Sequence, residues 1–457
     1  GRKIVRHPPG LVVLFVTELW ERFAYYGMRA LLVLYLIDTT TGGMGWSQER
    51  ASRLYGWYNG LAFLLPVAGG WLADRWLGTN RSLIIGGTLI SLGHLTLALG
   101  PGPSFYAGLG LIVLGTGFFK PNVYTMVGQL YGPGDPRRDA GFTLYYMGIN
   151  LGALFGPLVC AWFAAHPRFG WSYGFGAAGL SMLLGLLFYV LTRGARLQGI
   201  GLSPPRQVRA DAARDFHLSP AERRRVLALL LITFFVIFFW LAFEQVGSSL
   251  NVFAAERTDR RVNGWLVRIV PRDEIPAAWF QAVNPLFVLL LAPLMASLWQ
   301  RLGTRAPSSP GKMALGLVLL GVAYVVMVAG ASASHDGARV SPWYLICFYF
   351  LYSVGELCFL PAGFSFVGQA APARLGSMLM GIWFTASFIA NIIGGYLAGM
   401  VERIERGEVF RVLGGQADFF LIFVLSCTVA GTLLGLLLPT IRRLMATERE
   451  PRTGRCA

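Results

Sequence analysis

Apolar runs of about 20 residues, the length that crosses roughly 30 Å of hydrocarbon, recur twelve times along this chain of 457 residues. Inside a bilayer every backbone N–H and C=O must be bonded within the protein, which leaves helices or a closed barrel. Runs this long and continuous read as helices. The spans are residues 10–37, 52–75, 82–100, 104–130, 140–164, 171–192, 225–255, 276–301, 312–331, 341–368, 375–401 and 416–440. They divide six and six around 193–225, a stretch with Ser-Pro-Pro, eight arginines and no apolar run. The expected organisation is a six-helix bundle over residues 1–192, a cytoplasmic linker over 193–224 and a second six-helix bundle over 225–457.

The formal net charge of +16 raises nucleic acid as a partner. The basic residues, however, sit in short loops between the spans, where they set topology. With the N-terminus inside, Arg75, Arg81, Arg137, Arg138, the linker, Arg301, Arg305, Lys312 and the basic C-terminal tail all fall on the cytoplasmic side. The expectation is an integral protein of the cell inner membrane with both termini cytoplasmic and no nucleic-acid partner. The segment from Glu256 to Glu274 carries both signs on the outer side and reads as a surface hairpin. A 55% hydrophobic content makes a soluble enzyme improbable. The five cysteines lack metal-ligand spacing. Residues 66–81 and 293–305 each combine a proline, a tryptophan and Leu-Gly-Thr between basic residues, which suggests two halves related as parallel repeats with a ligand between them.

The first span holds Glu18, Glu21, Arg22 and Arg29. An ionised side chain at mid-span costs roughly 2.5 to 3.5 kcal/mol on insertion scales, so four of them argue for a protein-lined polar site. At 100° per residue they share an arc of about 140° with Tyr25 and Tyr26. A rise of 1.5 Å per residue then sorts polar residues by depth from the cytoplasmic end. Glu18, Glu21, Arg22, Lys120, Asn150 and Glu356 fall at roughly 12 to 18 Å, whereas Arg29, Glu244 and Asn284 fall at roughly 25 to 28 Å.

Each layer thus holds opposite charges from both halves. Lys120 and Glu356 are expected to meet when the halves close inside, Arg29 and Glu244 when they close outside, and alternating access is the exchange between the two. Protonating a carboxylate weakens its pair and lets a proton bias that exchange. Lys120 is further marked by rarity, one of three lysines against thirty-six arginines. His94, on the third span, reads as bonding a neighbour, and Gly148, Gly152 and Gly156 as a close helix contact.

The run Glu18-x-x-Glu-Arg-Phe-x-Tyr-Tyr-Gly27 resembles the signature of the proton-dependent oligopeptide transporters, a branch of the major facilitator superfamily. Similar blocks follow at Gly70–Gly78 with Arg81, Gly115-x-Gly-x-x-Lys-Pro-Asn122, Asp139 through Asn150, Phe243–Ser249, Asn284-Pro, Gly355-Glu-Leu with Pro361, and Met380–Phe384. The resemblance implies an all-α polytopic fold of the superfamily type, twelve helices in two bundles, and symport of di- and tripeptides with protons. It implies no cofactor beyond the proton as coupling ion, with short peptides, protons and the bilayer as partners and a monomer as the working unit. By the same resemblance Arg22 and Lys120 hold the peptide carboxylate, Glu356 takes its ammonium group, and Asn150 and Asn284 bond its amides. Tyr25, Tyr26 and Trp383 line side-chain pockets, and Glu18, Glu21 and Glu244 are the proton-linked carboxylates.

Three departures from that family stand out. Phe63 occupies the place of a frequent tyrosine on the second span, and Gly56 that of the histidine of animal members. The linker is too short and polar for the two extra helices of many bacterial members. Two other functions stay open at this stage. The same machine could carry another small anion or conjugate such as nitrate, or Glu18 and Glu21 could serve a membrane-embedded enzyme as acid and base. No Ser/His/Asp set, phosphate loop or metal cluster accompanies them, so a non-enzymatic role is expected.

Overall fold

The structure is a computed structural model that describes residues 7–132, 135–201, 219–334, 337–370 and 376–446. Lys3, Cys456, most of the expected linker and the basic C-terminal tail lie outside the described residues. Fifteen α-helices follow one another among those described: α1 Gly10–Ile37, α2 Gln48–Leu72, α3 Thr79–Leu97, α4 Pro103–Gln129, α5 Arg138–Ala165, α6 Trp171–Arg196, α7 Pro220–Phe243, α8 Ser249–Glu256, α9 Val283–Leu302, α10 Ser309–Ala333, α11 Trp343–Ala370, α12 Gly376–Ala398, α13 Val401–Glu405, α14 Ala417–Leu436 and α15 Leu438–Met445. Twelve of them, all but α8, α13 and α15, run 19 residues or more and correspond to the twelve apolar runs.

The chain is a multi-pass membrane protein. Eight stretches are long and apolar enough to cross a bilayer on composition alone, from α5 onward. Helices α1 to α4 are of similar length, but Glu18, Glu21, Arg22 and Arg29 on α1, Ser52 and Asn59 on α2, His94 on α3 and Lys120 on α4 dilute their hydropathy. Their polar groups must therefore be covered by protein rather than lipid.

Local chemistry sets the helix ends. Ser47 caps α2 by accepting from the Arg50 N–H at 3.4 Å, and Ser219 with Glu222 forms a capping box at α7. The seventh span, expected to be continuous over 225–255, is instead broken. After Phe243 the chain makes a 3-10 turn over Glu244–Gly247 before α8 begins. The Gln245 side chain spans the break, donating to the Leu241 carbonyl at 3.1 Å and accepting from the Ser249 hydroxyl at 2.7 Å. The eighth span opens as a 3-10 turn over Ala277–Ala282. The twelfth ends at Leu436, and Pro439 stands in the first turn of the short α15 that follows.

Buried apolar side chains form two clusters, one from residues 11–197 with Val252 and Ala278, the other from residues 228–441. In the first, α1 packs on α5 and α6, and α3 on α4; in the second, α10 packs on α11 and α14. The clusters meet where α2 lies along α12 and α5 along α9. Gly78, after the π-helical turn Ala73–Leu77 that continues α2, and Gly303, after α9, stand at φ 77° and 49°, backbone turns that a side chain would oppose.

The mixed-charge segment after α8 folds back on itself. Arg261 pairs antiparallel with Glu274, and the Ile275 N–H donates to the Arg260 carbonyl at 2.9 Å. Cys160, Cys358 and Cys427 are buried, Cys347 is exposed, and none forms a disulfide. His94 bonds the Ile90 carbonyl one turn back, at 2.8 Å.

Candidate functional site

The charged stripe on α1 is held by the helix behind it. A Cβ added at Gly152 would lie 2.3 Å from the Leu19 carbonyl oxygen, and one at Gly156 equally close to that of Phe23. Such contact is open only to glycine, so α5 fixes the rotation of α1 about its axis. Arg22 is then enclosed by its own helix. Its Nη2 donates to Glu21 Oε1 at 2.7 Å, its Nε to Glu21 Oε2, and Glu18 Oε1 lies 3.2 Å from Nε. Its guanidinium also lies over the Tyr25 ring, 4.8 Å from the centroid.

Across the centre, Asn284 Nδ2 donates to Glu356 Oε2 at 2.8 Å and to the Ser353 hydroxyl at 3.0 Å. This corrects the depth sorting, which put Asn284 in the outer layer and Glu356 in the inner one. Glu356 sits on α11, which runs to Ala370, two residues past the end inferred from hydropathy. Counted from there it is roughly 3 Å deeper, but α9 likewise runs one residue past 301, to Leu302, so the count narrows the supposed separation by only about 1.5 Å.

Lys120 and Glu356 do not meet. Among the described residues Lys120 makes no ion pair, and its Nζ stands 4.7 Å from the centre of the Phe63 ring. Phe63 in turn packs on Trp240 of the other half, with ring centroids 5.2 Å apart, and the indole N–H of Trp240 is buried without a partner. Asn150 spends an N–H on the Tyr146 carbonyl of its own helix at 3.0 Å. Trp383 lies in the second apolar cluster, its ring edge against Gly363; in this conformation it packs rather than lining open space.

Tyr124 on α4 interacts electrostatically with Glu18 and Arg22, and Tyr146 on α5 with Glu356 and Tyr26, which sets both rings beside the charged groups of the two halves.

The end of the bundle that α1 reaches at Ile37, here the distal end, is shut. Arg29 Nη1 lies 3.3 Å from Glu244 Oε2, with both residues buried. The same oxygen accepts from Asn59 Nδ2 at 2.8 Å and faces the Tyr55 hydroxyl at 3.5 Å, whereas Glu244 Oε1 carries no hydrogen bond among the described residues. Asn59 also donates to Asn391 Oδ1 on α12 at 2.6 Å and accepts from the Tyr25 hydroxyl. Tyr26 stacks between, its ring 5.2 Å from the Arg29 guanidinium and edge-on to Tyr25. Beside this network α2 and α12 touch backbone to backbone: a Cβ on Gly56 would come within 2.8 Å of the Gly395 Cα. On the opposite flank Trp279 Nε1 donates to the Leu158 carbonyl at 2.8 Å and Trp162 Nε1 to that of Ile269 at 2.9 Å.

The arrangement thus joins Arg29 to Glu244, encloses Glu18, Glu21 and Arg22 together, links Asn284 to Glu356, and leaves Lys120 apart from every carboxylate. Asn59, Asn391, Tyr124, Tyr146 and Trp240 were not anticipated. Asn59 carried a usable signal, since it shares one face of the second span with Ser52 and Tyr55. Among the described residues no cluster of His, Cys, Asp and Glu is placed to hold a metal ion.

Comparison with known proteins gives one consistent answer. Residues 80–208 and 207–413 match the model of the POT family. The chain is 35% identical to the uncharacterized transporter YclF of Bacillus subtilis, over 96% of this chain and 95% of that protein. It is likewise 35% identical to the peptide transporter YePEPT of Yersinia enterocolitica, over 99% of this chain and 98% of that one. Among solved structures, a variant of a peptide transporter POT in complex with alafosfalin superposes with a TM-score of 0.84 at 35% identity, covering 98% of this chain and 97% of the other.

Proposed function

The chain belongs to the POT family, and from that premise we propose that it carries di- and tripeptides together with protons across the cell inner membrane by alternating access. It is a transporter, not an enzyme. The observation that carries the reading is the opposite chemistry that the two halves bring to the centre. Arg22 and Lys120 stand on the first half, and Glu356 with Asn284 on the second. A zwitterionic peptide presents a carboxylate and an ammonium group at its two ends. It satisfies both sides at once, whereas an inorganic anion leaves Glu356 uncompensated.

On this reading Lys120 and Arg22 receive the carboxylate, Glu356 the ammonium, and Asn150 and Asn284 the amide groups. Tyr25, Tyr26 and, in another conformation, Trp383 shape the pockets. The distal closure corresponds to a state open towards the cytoplasm, with the termini on that side. Glu18, Glu21 and Glu244 carry the proton linkage, Arg29 and Lys120 are the gate cations, and the proton is the one accessory species needed. The unit is a monomer of two bundles, 1–192 and 225–457, joined by 193–224.

Reconstituted protein should accumulate labelled dialanine inside liposomes when the outside is made acidic, and a protonophore should abolish the accumulation. Uptake indifferent to the proton gradient overturns the coupling. Competition by nitrate but not by unlabelled dipeptide overturns the substrate class.

A further inference from the structure

The side chain of Asn59 is fully buried and every polar site on it is used, in an orientation its neighbours dictate. Asn391 Nδ2 donates to the Ser387 carbonyl at 2.8 Å, so its Oδ1 is the acceptor offered to α2. Asn59 must then present Nδ2 to Asn391. The same nitrogen donates to Glu244 Oε2, an acceptor alone when ionised, and its Oδ1 takes the Tyr25 O–H. One amide thus binds α1, α2, the 3-10 turn after α7 and α12, with Tyr25 in its own half and both other partners in the opposite half. Among the described residues no other side chain bonds Glu244 and α12 together.

We propose that Asn59 is a positioning residue that ties the charge of Glu244 to the contact between α2 and α12, so that neutralising the carboxylate releases the distal seam. The proposal rests on the alternating-access reading. An N–H to an ionised carboxylate is roughly twice as strong as one to a neutral partner, so the Asn59 bond weakens together with the Arg29 pair when Glu244 takes up a proton. Asn391 is then the one partner across the seam that still bonds Asn59 at full strength. Opening also costs Asn59 little on its own side, because Tyr25 travels with it. The charged and titratable groups around Glu244 are Arg29, Tyr25 and Tyr26 from α1, Tyr55 from α2, Lys120 from α4, and Tyr352 and Glu356 from α11. Of the two neutral side chains that bond the carboxylate, Asn59 at 2.8 Å is nearer than Tyr55 at 3.5 Å.

The test uses the full chain in liposomes without substrate, its cysteines replaced and spin labels placed at the exposed Arg50 and Arg406. The distance between labels is followed from pH 5 to pH 9. The parent should pass from a short to a long distance as pH falls. In Asn59→Leu the ionised carboxylate loses a donor, so the transition should move to higher pH by about one unit, a tenfold change in proton affinity. Asn59→Gln, which keeps both donors, should recover at least half of that shift. A Leu variant with an unmoved midpoint overturns the proposal, and so does one whose loss of closure at pH 8 is as large in a Glu244→Gln background as in the parent, because a merely structural role does not depend on the charge of Glu244. If Asn59→Leu does not fold, Asn59→Ser, too short to span both partners, carries the same comparison. No substrate is present, so failure of dipeptide uptake alongside an intact pH transition counts against the peptide reading alone.

Discussion

Arg29 and Glu244 stand 3.3 Å apart across the two halves of the molecule, each at least nine-tenths buried. Removing one partner strands a charge in a low-dielectric site, at a cost of roughly 3–5 kcal/mol to the state that holds the pair. Glu244→Gln and Arg29→Leu should therefore shift the distal end towards opening, seen as a longer Arg50–Arg406 label distance at pH 8. Dialanine counterflow should survive in Glu244→Gln while gradient-driven accumulation is lost. Full accumulation in that variant removes Glu244 from the coupling.

Glu356 and Asn284 should behave as a unit. Glu356→Gln leaves a neutral amide where an ammonium group is to dock, and peptide uptake should fall at least tenfold while the protein remains monodisperse in detergent. Asn284→Ala releases Glu356 from its one hydrogen bond to a side chain, and should raise the apparent KM more than it lowers the maximal rate. Parent kinetics in both variants place the ammonium site elsewhere.

The seam of α2 on α12 has no room for a side chain. Gly56→Val puts branched carbon where the Asn391 carbonyl oxygen and the Gly395 Cα already stand within 2.8 Å of a single Cβ. Backbone cannot yield as a flexible side chain does, so the variant should be unable to close distally. Its label distance should stay long at pH 8, and transport should be lost with normal insertion into the membrane. A short distance in Gly56→Val shows that closure does not use this contact.

Asp38, just past the end of α1, supplies the pH-dependent stability of the distal loop. Burial pushes its carboxyl up, but bonds from the Thr41 and Thr40 hydroxyls, the Thr40 N–H and the Trp171 indole outweigh it and hold the group well below the usual carboxylate range. A lowered value in the folded state means that the stabilisation is complete above the unfolded value near pH 4 and is lost only as pH falls below it. Asp38→Asn should lower thermal stability by about 1 kcal/mol after allowance for partial exposure. The gap between variant and parent should be constant from pH 5 to 8 and shrink below pH 4. A gap that changes between pH 5 and 8 points to another group.

The twelve helices were legible because a bilayer permits so few solutions to a long apolar run. The charges of α1, Lys120, Glu244 and Glu356 were legible because ionised groups are rare at that depth. The break in α7 was hidden, since Gln245 and Ser249 mend it through side chains whose pairing no periodicity announces. Asn284 beside Glu356 was hidden because a depth counted along each helix from its own end does not set one helix against another. Asn59 was overlooked because a single amide costs a helix little, and the polar face it shares with Ser52 and Tyr55 gains meaning only when α12 is seen against it. Trp383 was given a pocket by the family resemblance, and here it packs in the second cluster.

Among the described residues the hydrogen bonds to Glu244, from Asn59 and Tyr55, both fall on Oε2, the oxygen nearest Arg29, and Oε1 has none. That asymmetry sets an order of events. A proton can settle on Oε1 before any of the bonds from Arg29, Asn59 or Tyr55 has broken, so uptake of the proton and parting of the helices are successive steps rather than one concerted one. Rapid-mixing experiments should then resolve a fast protonation phase insensitive to viscosity, followed by a slower movement that glycerol retards.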